Sequence, residues 1–121
     1  MKLEAHGMDQ RKQAFLRAME AQSASYRRAL PGKVATLEAL WREAWLDRDP
    51  QGRLEELLRG AHGLAGSGAT FGLADVGTQA RVLERRLQAL LDSDGEPDPA
   101  QSEQVAAAME MLKGRVAALQ P

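Results

Sequence analysis

The sequence predicts an all-α protein, an antiparallel up-down four-helix bundle with an additional N-terminal helix packed against it. Three observations predict it. Ala, Leu, Arg, Glu and Gln dominate the chain, and these are strong helix formers. No stretch alternates apolar and polar residues as a half-buried strand does. Apolar residues recur instead at spacings of three and four, in segments separated by proline, glycine and aspartate.

The elements follow in order. Residues 1–8, His6 among them, are expected as an N-terminal tail, and the helical domain is expected over residues 9–121. A first helix is predicted from about Asp9, a plausible N-cap, to Ala29, with Phe15, Met19, Tyr26 and Leu30 as its apolar stripe. Pro31-Gly32 is expected to end it, because proline disfavours helical geometry in the residue before it. Pro31 then suits the first turn of a second helix, where its missing N–H is no loss. That helix carries Val34, Leu37, Trp41 and Ala44, with Leu40 and Trp45 widening the face, and ends in Asp47-Arg48-Asp49-Pro50.

Asp49-Pro50 reads as a cap followed by proline, opening a third helix that runs to about Thr70. Its inner face is Leu54, Leu57, Leu58, Ala61, Leu64, Ala65 and Gly68. After the turn Phe71-Gly72, a fourth helix points Val76, Ala80, Leu83, Leu87 and Leu90 inward and ends near Asp92. Residues 93–97 are expected as a loop. Asp98-Pro99-Ala100-Gln101 is a capping box with proline inside it, opening a fifth helix. Val105, Ala108 or Met109, Leu112, Val116 and Leu119 face its core side. Short connections between amphipathic helices make neighbours antiparallel.

Bulk properties narrow the function. With 121 residues the chain is one domain. Its net charge of −1 argues against nucleic acid as a partner, since such domains carry a basic excess. There is no cysteine, which excludes disulfides and thiolate metal sites. No apolar run approaches the roughly 20 residues that span a bilayer, and residues 1–8 lack a signal-peptide core, so a cytoplasmic monomer with no membrane contact is expected.

The segment from Arg59 to Gly72 is where chemistry is expected. Gly60, Gly63, Gly66 and Gly68 lie inside a helical pattern. Each interior glycine destabilises a helix by about 0.5–1 kcal/mol relative to alanine, so the four together amount to roughly 2–4 kcal/mol. Glycine allows another backbone or a bulky partner to come close. His62 sits among them, about 100° round the helix from the inner Ala61, at or beyond the edge of the apolar face. Close helix–helix packing within an unrelated helical adaptor would account for the glycines equally well. The neighbourhood holds no second histidine, no carboxylate pair on the same helix face and no nucleotide-binding glycine motif after a strand. The chain is therefore expected not to be an enzyme. Trp41 and Trp45 are read as packing, and Arg81, Arg85 and Arg86 as a solvated face.

The run His62, Gly63, Leu64, Ala65, Gly66, Ser67, Gly68, Ala69, Thr70, Phe71, Gly72 resembles the motif of histidine-containing phosphotransfer domains of bacterial phosphorelays. That motif has the form His-x-Leu-Lys-Gly-Ser-x-x-x-Phe/Leu-Gly, and His62, Leu64, Gly66, Ser67, Phe71 and Gly72 match it. Leu73, Ala80 and Leu83-Glu84 fall in register with the next helix of the family, so the resemblance covers nearly the whole chain. It implies that His62 accepts a phosphoryl group, with Arg59, Gly63, Ala65, Gly66 and Ser67 around the phosphoryl group and the partner. It implies a response-regulator receiver domain or a hybrid histidine kinase as partner, and no cofactor of the chain's own, the Mg²⁺ being carried by the receiver. One position departs: Ala65 stands where the family has a lysine thought to help hold the phosphoryl group. Arg59, three residues before His62, is expected to supply the charge. The same departure gives the alternative expectation, a degenerate bundle that docks a partner without phosphotransfer.

Overall fold

A computed structural model describes residues 2–93 and 98–121, with the side chains of residues 2–6, His6 included, outside the described set. Four helices account for it: α1 (Lys2–Ala44), α2 (Pro50–Thr70), α3 (Ala74–Asp92) and α4 (Pro99–Ala117). α2 packs on α3, α3 on α4, and α1 on both α2 and α4, closing a ring without diagonal contacts. The short connections 45–49 and 71–73 reverse the chain, giving the up-down arrangement.

The separate N-terminal helix is not present. The predicted break at Pro31-Gly32 lies inside α1, a single helix of 43 residues that begins at Lys2, within the stretch expected as a tail. The physical reason is local. Proline in a helix interior removes one backbone hydrogen bond and destabilises by about 3 kcal/mol. Here the carbonyl that loses its donor is that of Arg27, and Gln120 Nε2 donates to it at 3.4 Å. Tyr26, Leu30, Val34 and Leu37 on either side of Pro31 are all buried, so tertiary packing keeps the helix continuous across the proline. This C-terminal half of α1 is the bundle's first helix. Residues 8–22 are exposed, so Phe15 (63% exposed) and Met19 are not core residues as the stripe predicted.

The core is otherwise the expected one. Leu54, Leu57, Ala61 and Leu64 of α2, Val76, Ala80, Leu83 and Leu87 of α3, and Val105, Met109 and Leu112 of α4 are buried in one shared core. Leu58 is only half-buried, and Leu119, past the end of α4, is exposed. Trp45, just past α1, is exposed and meets Trp41 edge-on at 5.1 Å.

The ends of α2 are built differently. At its start Pro50 takes the first turn, but the Asp49 side chain makes no cap bond. Arg53 instead bridges to Glu43 at 2.9 Å and Asp47 at 3.4 Å, tying the α1–α2 connection together. The Asp49 backbone N–H and the Arg53 side chain hold the Asp47 carboxyl below its usual range. At its end Leu73 N–H donates to Gly68 O and Gly72 N–H to Ala69 O, with Gly72 at φ +75°. That is a Schellman turn, whose left-handed position favours glycine. The α4 cap is half of the predicted box: Asp98 accepts from Ala100 N–H, while the buried Gln101 Oε1 bonds to nothing among the described residues.

Candidate functional site

The middle of α2 turns one edge to the core and the opposite edge to solvent. Ala61, Leu64, Ala65 and Gly68 are buried, and His62, one position past Ala61, has a side chain 76% exposed. The ring is not loose. Its Nδ1 hydrogen-bonds Oε2 of Glu84, which reaches across from α3. A carboxylate only accepts hydrogen bonds, so Nδ1 carries the proton and donates it. In the neutral ring this leaves the lone pair on Nε2. Glu84 is the site residue that residue-by-residue reading of the α2 segment missed. It lies 22 positions away in sequence, and the only trace of it in the sequence is its place in the Leu83-Glu84 pair.

The four glycines divide into two kinds. A Cβ at Gly68 would lie 2.9 Å from the Gly77 backbone nitrogen of α3, and one at Gly60 would lie 2.6 Å from a Leu37 methyl. These two let neighbouring helices approach. Gly63 and Gly66 have nothing within 4 Å of such a Cβ, so they leave the surface beside His62 bare.

The other predicted positions separate as well. Arg59 is exposed and pairs with no carboxylate among the described residues; it lies about 60° round α2 from His62, on the side away from α3. Ala65 is not a surface position. It is 3% exposed, because its carbonyl side backs onto Gly77 at the α2–α3 contact. Ser67 is half-buried and engaged: its hydroxyl donates to Gly63 O at 2.8 Å. Tyr26, 2.6 Å from the Ser67 oxygen, is therefore the donor in that pair, and its ring stacks on Phe71 with centroids 4.6 Å apart. Ser67 thus fastens α1 to α2, one turn from the bare surface.

Two grooves flank α2. One, of about 400 Å³, runs against α1 and is lined by Lys33, Thr36, Gly60, Gly63 and Ser67. The other, of about 440 Å³, runs against α3 and is lined by Ala65, Ala69, Thr78, Arg81 and Arg85. Among the described residues no three His, Asp or Glu side chains are placed to hold a metal ion, and no helix is long and apolar enough to cross a membrane.

Comparison with known families finds a match to the Hpt domain over residues 12–115, which takes in α1 from Lys12 onward, the whole of α2 and α3, and most of α4. Neither the comparison with curated proteins nor that with solved structures finds a match.

Proposed function

Since the chain belongs to the Hpt domain family, whose members are phosphocarrier modules of phosphorelays, we propose that it accepts a phosphoryl group on His62 Nε2 from a receiver-domain aspartate and passes it to another receiver. The observation that carries this reading is the exposed imidazole with Nδ1 tied to Glu84 and Nε2 left as the nucleophile. Nε2 attacks the phosphorus of the aspartyl phosphate. The N–P bond forms as the bond from phosphorus to the carboxylate oxygen breaks, and the receiver's aspartate leaves as a carboxylate. The ring takes on positive charge in this step, and the Glu84 carboxylate against Nδ1–H balances it. No separate base is needed, because the attacking nitrogen carries no proton. The reverse steps, with a second aspartate as nucleophile, deliver the group onward.

The rest of the surface supports docking. Gly63 and Gly66 leave room for a receiver's active-site face to reach Nε2. Arg59, exposed and without an ion pair among the described residues, offers a cation to the incoming acyl phosphate. In-line phosphoryl transfer depends mainly on positioning and charge neutralisation, so a carrier can leave the Mg²⁺ and most catalytic groups to the receiver. The same reading makes the protein a cytoplasmic monomer in a bacterial two-component pathway, with a receiver domain or a hybrid histidine kinase as its partner.

Ala65 favours a second reading, a bundle that docks receivers without taking phosphate. Incubation with a phosphorylated receiver separates the two. Acid-labile phosphate on the wild-type chain and none on His62→Gln is the expected result. Complex formation without any transfer from several receivers would establish docking alone.

A further inference from the structure

The α2–α3 groove that reaches Ala65, one turn from His62, carries two arginines that no part of the transfer scheme uses. Its floor is made of small residues. Ala65 and Ala69 leave the α2 edge bare, and the close approach of Gly68 to Gly77 brings the α3 side chains against that edge. The antiparallel register follows from two contacts, Gly68 with Gly77 and His62 with Glu84. Between them Arg81 stands level with Ala65, and Arg85 follows Glu84 by one position, level with His62. Both arginines are exposed and neither is paired with a carboxylate among the described residues. Glu84 ties the imidazole to α3, the helix that carries both arginines, while Arg59 lies about 60° round α2 on the side away from α3.

Resting on the reading of His62 as a phosphoryl acceptor, we propose that Arg81 and Arg85 form the anion-holding wall for a phosphoryl group on His62 Nε2. They supply from α3 the positive charge that Ala65 does not supply from α2. Guanidinium suits the task. Its planar fork meets two phosphoryl oxygens at once and stays charged at any working pH. A lysine at position 65 would have to emerge through the same groove, so the small alanine and the α3 arginines are two halves of one exchange. The titratable groups facing the phosphoryl group are then Glu84, Arg81 and Arg85, with Arg59 across the ridge of α2.

The test labels His62 directly with phosphoramidate, a small phosphoryl donor that needs no partner protein. Hydrolysis of the phosphohistidine is followed over time, and the ionisation of the phosphoryl group by its ³¹P shift against pH. Arg81→Ala and Arg85→Ala are each expected to hydrolyse several-fold faster than wild type and to ionise at higher pH. Arg81→Lys is expected to recover part of the lifetime. Arg86→Ala removes the same charge from α3 outside the groove and is expected to match wild type. If Arg81→Ala and Arg85→Ala behave like Arg86→Ala, the wall is wrong. If all three arginine variants shift alike, a general effect of net charge replaces it. Failure of every receiver to transfer, with the arginine effects intact on the labelled chain, would overturn the carrier reading and leave the wall standing.

Discussion

An imidazole offers two nitrogens, and a hydrogen bond at one decides which remains a nucleophile. Glu84 makes that choice for His62 by accepting from Nδ1. A hydrogen bond to a charged group contributes about 1.5–3 kcal/mol, and the exposure of this one places it at the low end, so Glu84→Ala is expected to slow transfer about tenfold. The ¹⁵N spectrum of the ring should show the Nδ1–H tautomer giving way to a mixture in that variant, a change that a merely structural role for Glu84 would not produce. His62→Gln is expected to abolish phosphoryl acceptance, measured as acid-labile phosphate. Because the side chain is 76% exposed, thermal unfolding should change by no more than about 1 kcal/mol. Ser67 shows why a motif residue need not touch the chemistry. Its hydroxyl is held by Gly63 O and Tyr26, and nothing in the α2 sequence announces a tyrosine 41 positions away.

Within the element, the glycines of α2 look alike in sequence and differ in what surrounds them. At Gly66 a side chain meets open space, so Gly66→Leu should keep the fold and add up to about 1 kcal/mol of stability by replacing a poor helix former. The same variant should lose receiver binding, measured by titration calorimetry, since the leucine stands one turn from His62. At Gly68 a methyl would press on the Gly77 backbone at 2.9 Å, which cannot yield as a flexible side chain would. Gly68→Ala is therefore expected to destabilise by about 1–3 kcal/mol in denaturant unfolding. Unfolding of Gly66→Leu would return that glycine to internal packing. The other element-level lesson is Pro31. A proline preceded and followed by core residues every three or four positions stays in the helix when packing and a borrowed donor, here Gln120, replace what it removes.

For the whole molecule, the bundle is closed by the second half of α1, and the first half extends beyond it. Residues 8–22 are exposed, and isolated helices of that length are marginal in water. Deleting residues 1–15 is expected to lower the helical circular dichroism signal while leaving the unfolding midpoint of the bundle nearly unchanged, and to leave phosphoryl acceptance by His62 intact. A large drop in the midpoint would mean that this half packs on the bundle after all. The fold class was legible because the periodicity of α2, α3 and α4 is strong and their boundaries carry proline, glycine and aspartate. The ends of α2 at Pro50 and Thr70 and of α3 at Asp92 fall where the pattern places them. The candidate histidine was legible as well, from its glycine-rich setting and the motif around it.

What the sequence determined by itself, then, is the helical class, the core faces of α2 to α4, and His62 at the edge of an apolar face, because these depend on local periodicity. What only the tertiary structure decided depends on side chains brought together from different helices. It joined two predicted helices into one across Pro31, because packing of Tyr26, Leu30, Val34 and Leu37 outweighs a local break signal. It buried Ala65, engaged Ser67, and sorted the glycines into those that touch a neighbour and those that do not. It set Glu84 against His62 and Arg81 and Arg85 beside Ala65, because the register of α3 on α2 is fixed by the close approach of Gly68 and Gly77, a contact between backbones that no single-helix pattern records.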